Sequence, residues 1–266
     1  MVLACRDAGK AEAAAARVVD AVPSARVAVA LLDLASLAAV RETSRELLSR
    51  YERIDLLINN GGVMEPPYAR TVDGFELTLA TNHLGPFALT GLLLARLLET
   101  PGSRIVTVSS EGHSRGAIAF EDLQSENGYS AEHAYYQSKL ANLLFAYELD
   151  RRLRAAGASA SSLACHPGIV LTNLYRTRSK LERALLSPRL RVLNFRLVQG
   201  ARMGALPWLR ATTDPDAEGG EFYGPPGRGY VGYPVRTESS ARSYDPEVQQ
   251  HLWQESERLT SVRYPV

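Results

Sequence analysis

The chain has 266 residues, 45% hydrophobic and 22% charged, with 30 Lys+Arg against 29 Asp+Glu for a formal net charge of +1. That length suits one large α/β domain or two small ones, with ample sequence to bury a core. So small a net charge argues against a dominant basic surface for nucleic acid. Two cysteines, Cys5 and Cys165, exclude a disulfide scaffold and lack paired metal-ligand spacing.

The N-terminus MVLACRDAGK has neither the apolar region nor the charged lead-in of a signal peptide. VLAC instead reads as the end of a buried strand, and the alanine-rich run around Ala11 to Ala16 as a helix. RVAVALLD (Arg26 to Asp33) predicts a second strand, followed by a helix from about Ser36 to Tyr51. IDLLINN (Ile54 to Asn60), RIVTVSS (Arg104 to Ser110) and ASSLACHPG (Ala160 to Gly168) are further short apolar runs closed by turn residues. Amphipathic stretches from Asp73 to Leu98 and from Glu132 to Ala156 lie between them. Apolar strands alternating with helices predict a parallel sheet covered on both faces. The most apolar segment, Ala88 to Leu98, is about half the ~20 residues of a membrane span and contains Arg96. The expectation is a cytoplasmic enzyme without an integral membrane segment.

In parallel sheets ligands bind beyond the carboxyl ends of the strands. Here those ends read Asp33, NNGG, SS and CHPG, gathering polar groups and glycines at one edge. Turn residues are expected there in any case. In HAYYQSKLAN, Tyr135 and Lys139 are four residues apart and share a helix face. A nearby ammonium favours tyrosinate and prepares a phenol for proton exchange with a substrate hydroxyl or carbonyl. Tyr136, three residues from Lys139, could approach it too, and spacing alone does not choose. Ser109 and Ser110 place hydroxyls at a strand end, where they could bond a reacting oxygen or merely cap a turn. Asn82 is an amide within an apolar helical stretch and needs partners there.

The constellation INNGGVM, FELTLATNHLGPFALT, SRIVTVSS, YYQSKLAN and HPGIVLTNL resembles the short-chain dehydrogenase/reductase family, within its retinol dehydrogenase and WW-domain oxidoreductase-like branch. The resemblance implies a single Rossmann-like, doubly wound α/β domain over residues 1–266 that uses NAD(P)(H) on a small-molecule alcohol or carbonyl. It implies Tyr135 as the catalytic tyrosine, Lys139 as the lysine that lowers its pKa and binds the nicotinamide ribose, and Ser110 as the serine orienting the substrate oxygen. Asn82 falls where the family supports a water-linked proton relay. Asp33 and Leu34 fall at the adenine, Asn59, Asn60 and Gly61 at the adenosine ribose, and Pro167, Gly168 and Ile169 against the nicotinamide. Thr172 falls at the carboxamide. Arg6 sits where a cation can receive a 2′-phosphate, which implies NADP(H) over NAD(H).

The family opens with a strand, a glycine-rich TGxxxGxG turn and a helix, and the sequence as given contains none of these; Gly9 stands alone. VLACRD matches the family's second strand, so roughly 30 residues, one strand–helix crossover, are missing. Either the native chain is longer and carries the motif, or this chain binds dinucleotide weakly and acts as a binding module. The cost of removing a central strand favours the former. Gly61, at the family's alanine position, is expected to loosen the turn.

The histidines (83, 113, 133, 166 and 251) show no metal-ligand pairing. His166 reads as fixing its loop and Cys165 as a core residue. The arginine-rich stretch Leu174 to Val198, within a lid region at 170–200, suits an amphipathic cover over an apolar substrate, or else a membrane-surface or solvated helix. A short strand is predicted at Glu221 to Tyr223, and a terminal helix capped by Asp245. A homo-oligomer is compatible with all of this.

Overall fold

The computed structural model describes residues 1–170 and 198–266. Four elements alternate at the start: β1 (Val2–Cys5), α1 (Ala8–Ala21), β2 (Ala28–Leu31) and α2 (Leu37–Arg50). Asp7 and Ser36 cap the two helices, each side-chain oxygen accepting a first-turn backbone N–H. β3 (Leu56–Asn59) leads to a turn α3 (Leu77–Leu79), a π-helical turn (Ala80–Leu84) and α4 (Gly85–Leu98). β4 (Arg104–Val108), α5 (Ala131–Ala155) and β5 (Ser161–Cys165) complete the central crossovers. The chain ends with α6 (Ala201–Thr213), β6 (Phe222–Gly224), β7 (Val235–Thr237) and α7 (Pro246–Thr260), the last capped by Asp245 with Pro246 at its first position.

Strands β3 to β6 are parallel in the order 3-4-5-6, and β7 adds an antiparallel edge. That edge was not anticipated, because three residues are too few to show a period. Alternate side chains of β4 and β5 enter different cores. Val106, Val108, Leu163 and Cys165 pack with Ala211 of α6, whereas Ile105 joins Phe87, Leu94, Leu149 and Trp253 on the other face. Helices therefore cover both faces, as the near-continuous apolar strands require.

The sheet is interrupted. β1 pairs only with β2, in a separate two-stranded parallel ladder, and no ladder among the described residues joins β1 to β3. Leu31 and Leu56, within strands of the two ladders, are 59% and 44% exposed. Helix packing holds the two pieces together, for Leu32 and Val40 share the main core with α4.

The helical run Leu77–Leu98 corrects one expectation. It spans 22 residues with a mean hydropathy of 1.2, long and apolar enough to cross a bilayer, yet 83% of its apolar window is buried inside the protein. The most apolar letters, from Ala88, understate it, because the helical backbone runs back through Thr81, Asn82 and His83.

Candidate active site

The carboxyl ends of β3, β4 and β5 meet the N-terminal half of α5. Ser130 caps that helix and orients its first turns. The ammonium of Lys139 is buried and lies 5.8 Å from the ring centroid of Tyr135, within cation–π range. The Tyr136 phenol faces elsewhere, bonded to Glu132 and, at 2.8 Å, to Arg115. The choice left open by spacing is thus made by geometry, with Lys139 beside Tyr135.

Lys139 Nζ donates to Val108 O at 3.2 Å, and among the described residues no carboxylate pairs with it. Burial pushes its pKa down to about 8. A buried cation with no carboxylate partner among the described residues stabilises an anion forming beside it, and the Tyr135 ring is its aromatic neighbour. Asn142 donates to the same Val108 carbonyl, and Ser109 Oγ donates to Lys139 O at 2.7 Å. Both bonds tie α5 to the end of β4.

Ser110 caps a short 3-10 turn (Glu111–Arg115), its Oγ accepting Gly112 N–H at 3.2 Å. This is the capping role weighed from sequence, and it is compatible with chemistry. Accepting a hydrogen bond uses a lone pair and leaves the hydroxyl proton to donate. Gly112 brings the turn against both tyrosines: a Cβ there would lie 2.7 Å from the Tyr136 ring and 3.5 Å from that of Tyr135. Nothing in the sequence patterning marked Gly112.

Asn82 sits fully buried in the π turn. Its amide accepts from Val63 N at 2.7 Å and donates to Val63 O and Ser138 Oγ, both at 2.9 Å. The side chain pins the loop after β3 beside Lys139. Asn59 is also buried, donating to Thr90 on α4, so only its backbone faces the site edge. Asn60 and Gly61 are exposed beyond it. Leu34 lies across this turn, and a Cβ on Gly61 would meet its Cδ1 at 2.7 Å. Gly61 therefore lets the Leu34 side chain approach closely.

Asp33 is half-buried and accepts Ala35 N–H, and Arg6 is exposed at the end of β1 with no ion-pair partner among the described residues. Past β5, Gly168 adopts φ +68°, and a Cβ there would meet Tyr230 O at 2.4 Å. Only glycine fits that position. Pro167 O accepts from Gln199 Nε2 at 2.7 Å, and Ile169 N donates to Tyr230 O at 2.9 Å, which stiffens the segment. His166 stacks on Phe222 and accepts Gly168 N–H, the loop-fixing role read from sequence. Burial takes its pKa down to about 4, and pushes the Cys165 thiol up. Thr172 and the lid stretch up to residue 197 lie outside the described residues.

In a parallel sheet covered on both faces, ligands bind beyond the carboxyl ends of the strands, and there the Lys139 ammonium lies beside the Tyr135 ring. The chain belongs to the short-chain dehydrogenase family, whose profile matches residues 1–183. It is similar to retinol dehydrogenase 14 of Mus musculus (38% identical, covering 98% of this chain and 78% of the relative). It is likewise similar to retinol dehydrogenase 12 of Homo sapiens (40%, 98% and 78%). A crystal structure of an uncharacterized protein from Mycobacterium paratuberculosis superposes with a TM-score of 0.79 at 40% identity, covering 100% of this chain and 85% of that one. The family binds NAD(P)(H) and carries out alcohol/carbonyl oxidoreduction, and this chain is an oxidoreductase of that kind.

Proposed function

We propose that this chain interconverts an alcohol and a carbonyl on an apolar, fairly large substrate, with a preference for NADP(H). Tyr135 exchanges the proton, Lys139 favours its ionised form, and Ser110 donates to the substrate oxygen. The observation that carries this reading is the buried ammonium beside the Tyr135 ring, with no carboxylate paired to it among the described residues. The apolar substrate is supported by the retinol named in the relatives, retinol being an apolar alcohol.

The residues present fit the nicotinamide end of the cofactor. Lys139 Nζ is a donor with capacity beyond Val108 O, and the Pro167–Ile169 segment is rigid. At the other end, Arg6 is exposed with no ion-pair partner among the described residues, which suits a 2′-phosphate. When bound, the dinucleotide supplies or accepts the hydride. In the reducing direction Tyr135 gives its hydroxyl proton to the carbonyl oxygen, and in the oxidising direction it takes one. Asn82, through Val63 and Ser138, holds the loop that closes this corner.

Tyr135→Phe is expected to lower kcat by about 10²- to 10⁴-fold with folding intact, and Tyr136→Phe to stay within a few-fold of wild type. Equal turnover in wild type and Tyr135→Phe would end the assignment. A second reading is favoured by the break between β1 and β3 among the described residues. In it, the fold serves as a binding or interaction module. Calorimetric titration with NADPH separates the two, since this reading predicts little or no heat and no turnover.

A further inference from the structure

Ser110 is held by its carbonyl as well as by its side chain. His113, buried in the 3-10 turn, places Nδ1 2.6 Å from Ser110 O and Nε2 3.1 Å from Ser240 N. A carbonyl can only accept and a backbone N–H can only donate. The ring is therefore neutral, with its proton on Nδ1. Burial acts in the same direction, lowering the imidazole pKa. Phe222 meets the ring edge-on at 5.5 Å, which fixes its plane. Ser240 belongs to a segment that is itself strapped down. Ser239 Oγ lies 2.8 Å from the Tyr147 hydroxyl of α5, and Arg242 donates to Gly116 O at 2.8 Å. One imidazole thus joins the turn carrying Ser110 to a segment anchored on α5, the helix that carries Tyr135 and Lys139.

We propose that His113 is a positioning residue for Ser110: its Nδ1–H fixes the Ser110 carbonyl, and so aims the Ser110 hydroxyl, while its Nε2 braces the ring on Ser240. The inference rests on the role given to Ser110 above. The two ring nitrogens can be tested apart. Asn at 113 keeps a donor near the Nδ1 position, and Gln keeps an acceptor near the Nε2 position.

On the whole chain at neutral pH, 15N NMR is expected to show His113 protonated at Nδ1 and bare at Nε2. The opposite tautomer overturns the proposal. In steady-state kinetics, His113→Asn keeps kcat within about threefold, whereas His113→Gln loses about 10- to 100-fold in kcat with KM for the dinucleotide unchanged. In a Ser110→Ala background the His113→Gln loss disappears, because the group it acts through is gone. Losses that multiply in the double variant overturn the positioning role and leave that of Ser110 standing. Full turnover in Ser110→Ala removes the role of Ser110, and the proposal with it. Should His113→Gln fail to fold, the Asn variant and the tautomer decide: an Asn variant with a Gln-sized loss in kcat overturns the proposal.

Discussion

Adjacent residues on a helix point about 100° apart, and that rotation separates the two tyrosines of α5. Tyr135 turns toward Lys139, one helical turn on, and Tyr136 toward Arg115 and Glu132. That Tyr135 and Lys139 share a face was legible because a four-residue spacing is a local geometric fact, but that Tyr136 turns away was not. The fates of Asn59 and Asn82 were not, since their partners Thr90 and Val63 lie 31 and 19 residues away. Arg6 belongs at the same scale. With no ion-pair partner among the described residues, its exposed guanidinium would, under the proposed NADP(H) preference, gain a charge-assisted bond to a 2′-phosphate without giving one up. Arg6→Ala is expected to raise KM for NADPH about tenfold or more while leaving KM for NADH unchanged. Equal changes for both dinucleotides would remove the phosphate role.

Among the elements, each predicted strand and helix from β1 to α5 is found within a few residues of where apolar runs and periodicity put it. The π turn at Ala80–Leu84 was hidden, because widening one helical turn leaves the apolar pattern nearly unchanged. Pairing makes a prediction that propensity does not. β4 and β5 are bonded along both edges, whereas among the described residues β1 and β3 are each bonded along one. Backbone groups on a free edge open at little cost. Amides of β1 are expected to exchange with solvent at least about a hundredfold faster than those of β4 and β5. Uniform protection across the four strands would mean that the break between β1 and β3 is closed in solution.

For the molecule as a whole, two buried imidazoles set a pH limit. His83 lies between Phe87 and Phe145 with Nε2 2.8 Å from Ser256 Oγ, and His166 is stacked on Phe222. Burial holds both near pKa 4, against an ordinary value of 6.5. Between those values the unfolded chain binds protons that the native one refuses. Stability is therefore complete above about pH 6.5 and falls as pH drops toward 4, by about 1.4 kcal/mol per pH unit for each ring. Urea midpoints at pH 7, 6 and 5 read this directly, and a flat series would show that neither ring stays neutral.

By itself the sequence determined the alternation of strands and helices, the cap at Asp245, and the four-residue spacing that puts Tyr135 and Lys139 on one helix face, because each depends on neighbours within a turn or two. Only the tertiary structure decided where Asn59 and Asn82 spend their amides, why Gly112 and Gly168 have no side chain, and that His113 reaches Ser240. Those contacts join segments far apart in the chain, and their distances follow from how the helices pack on the sheet.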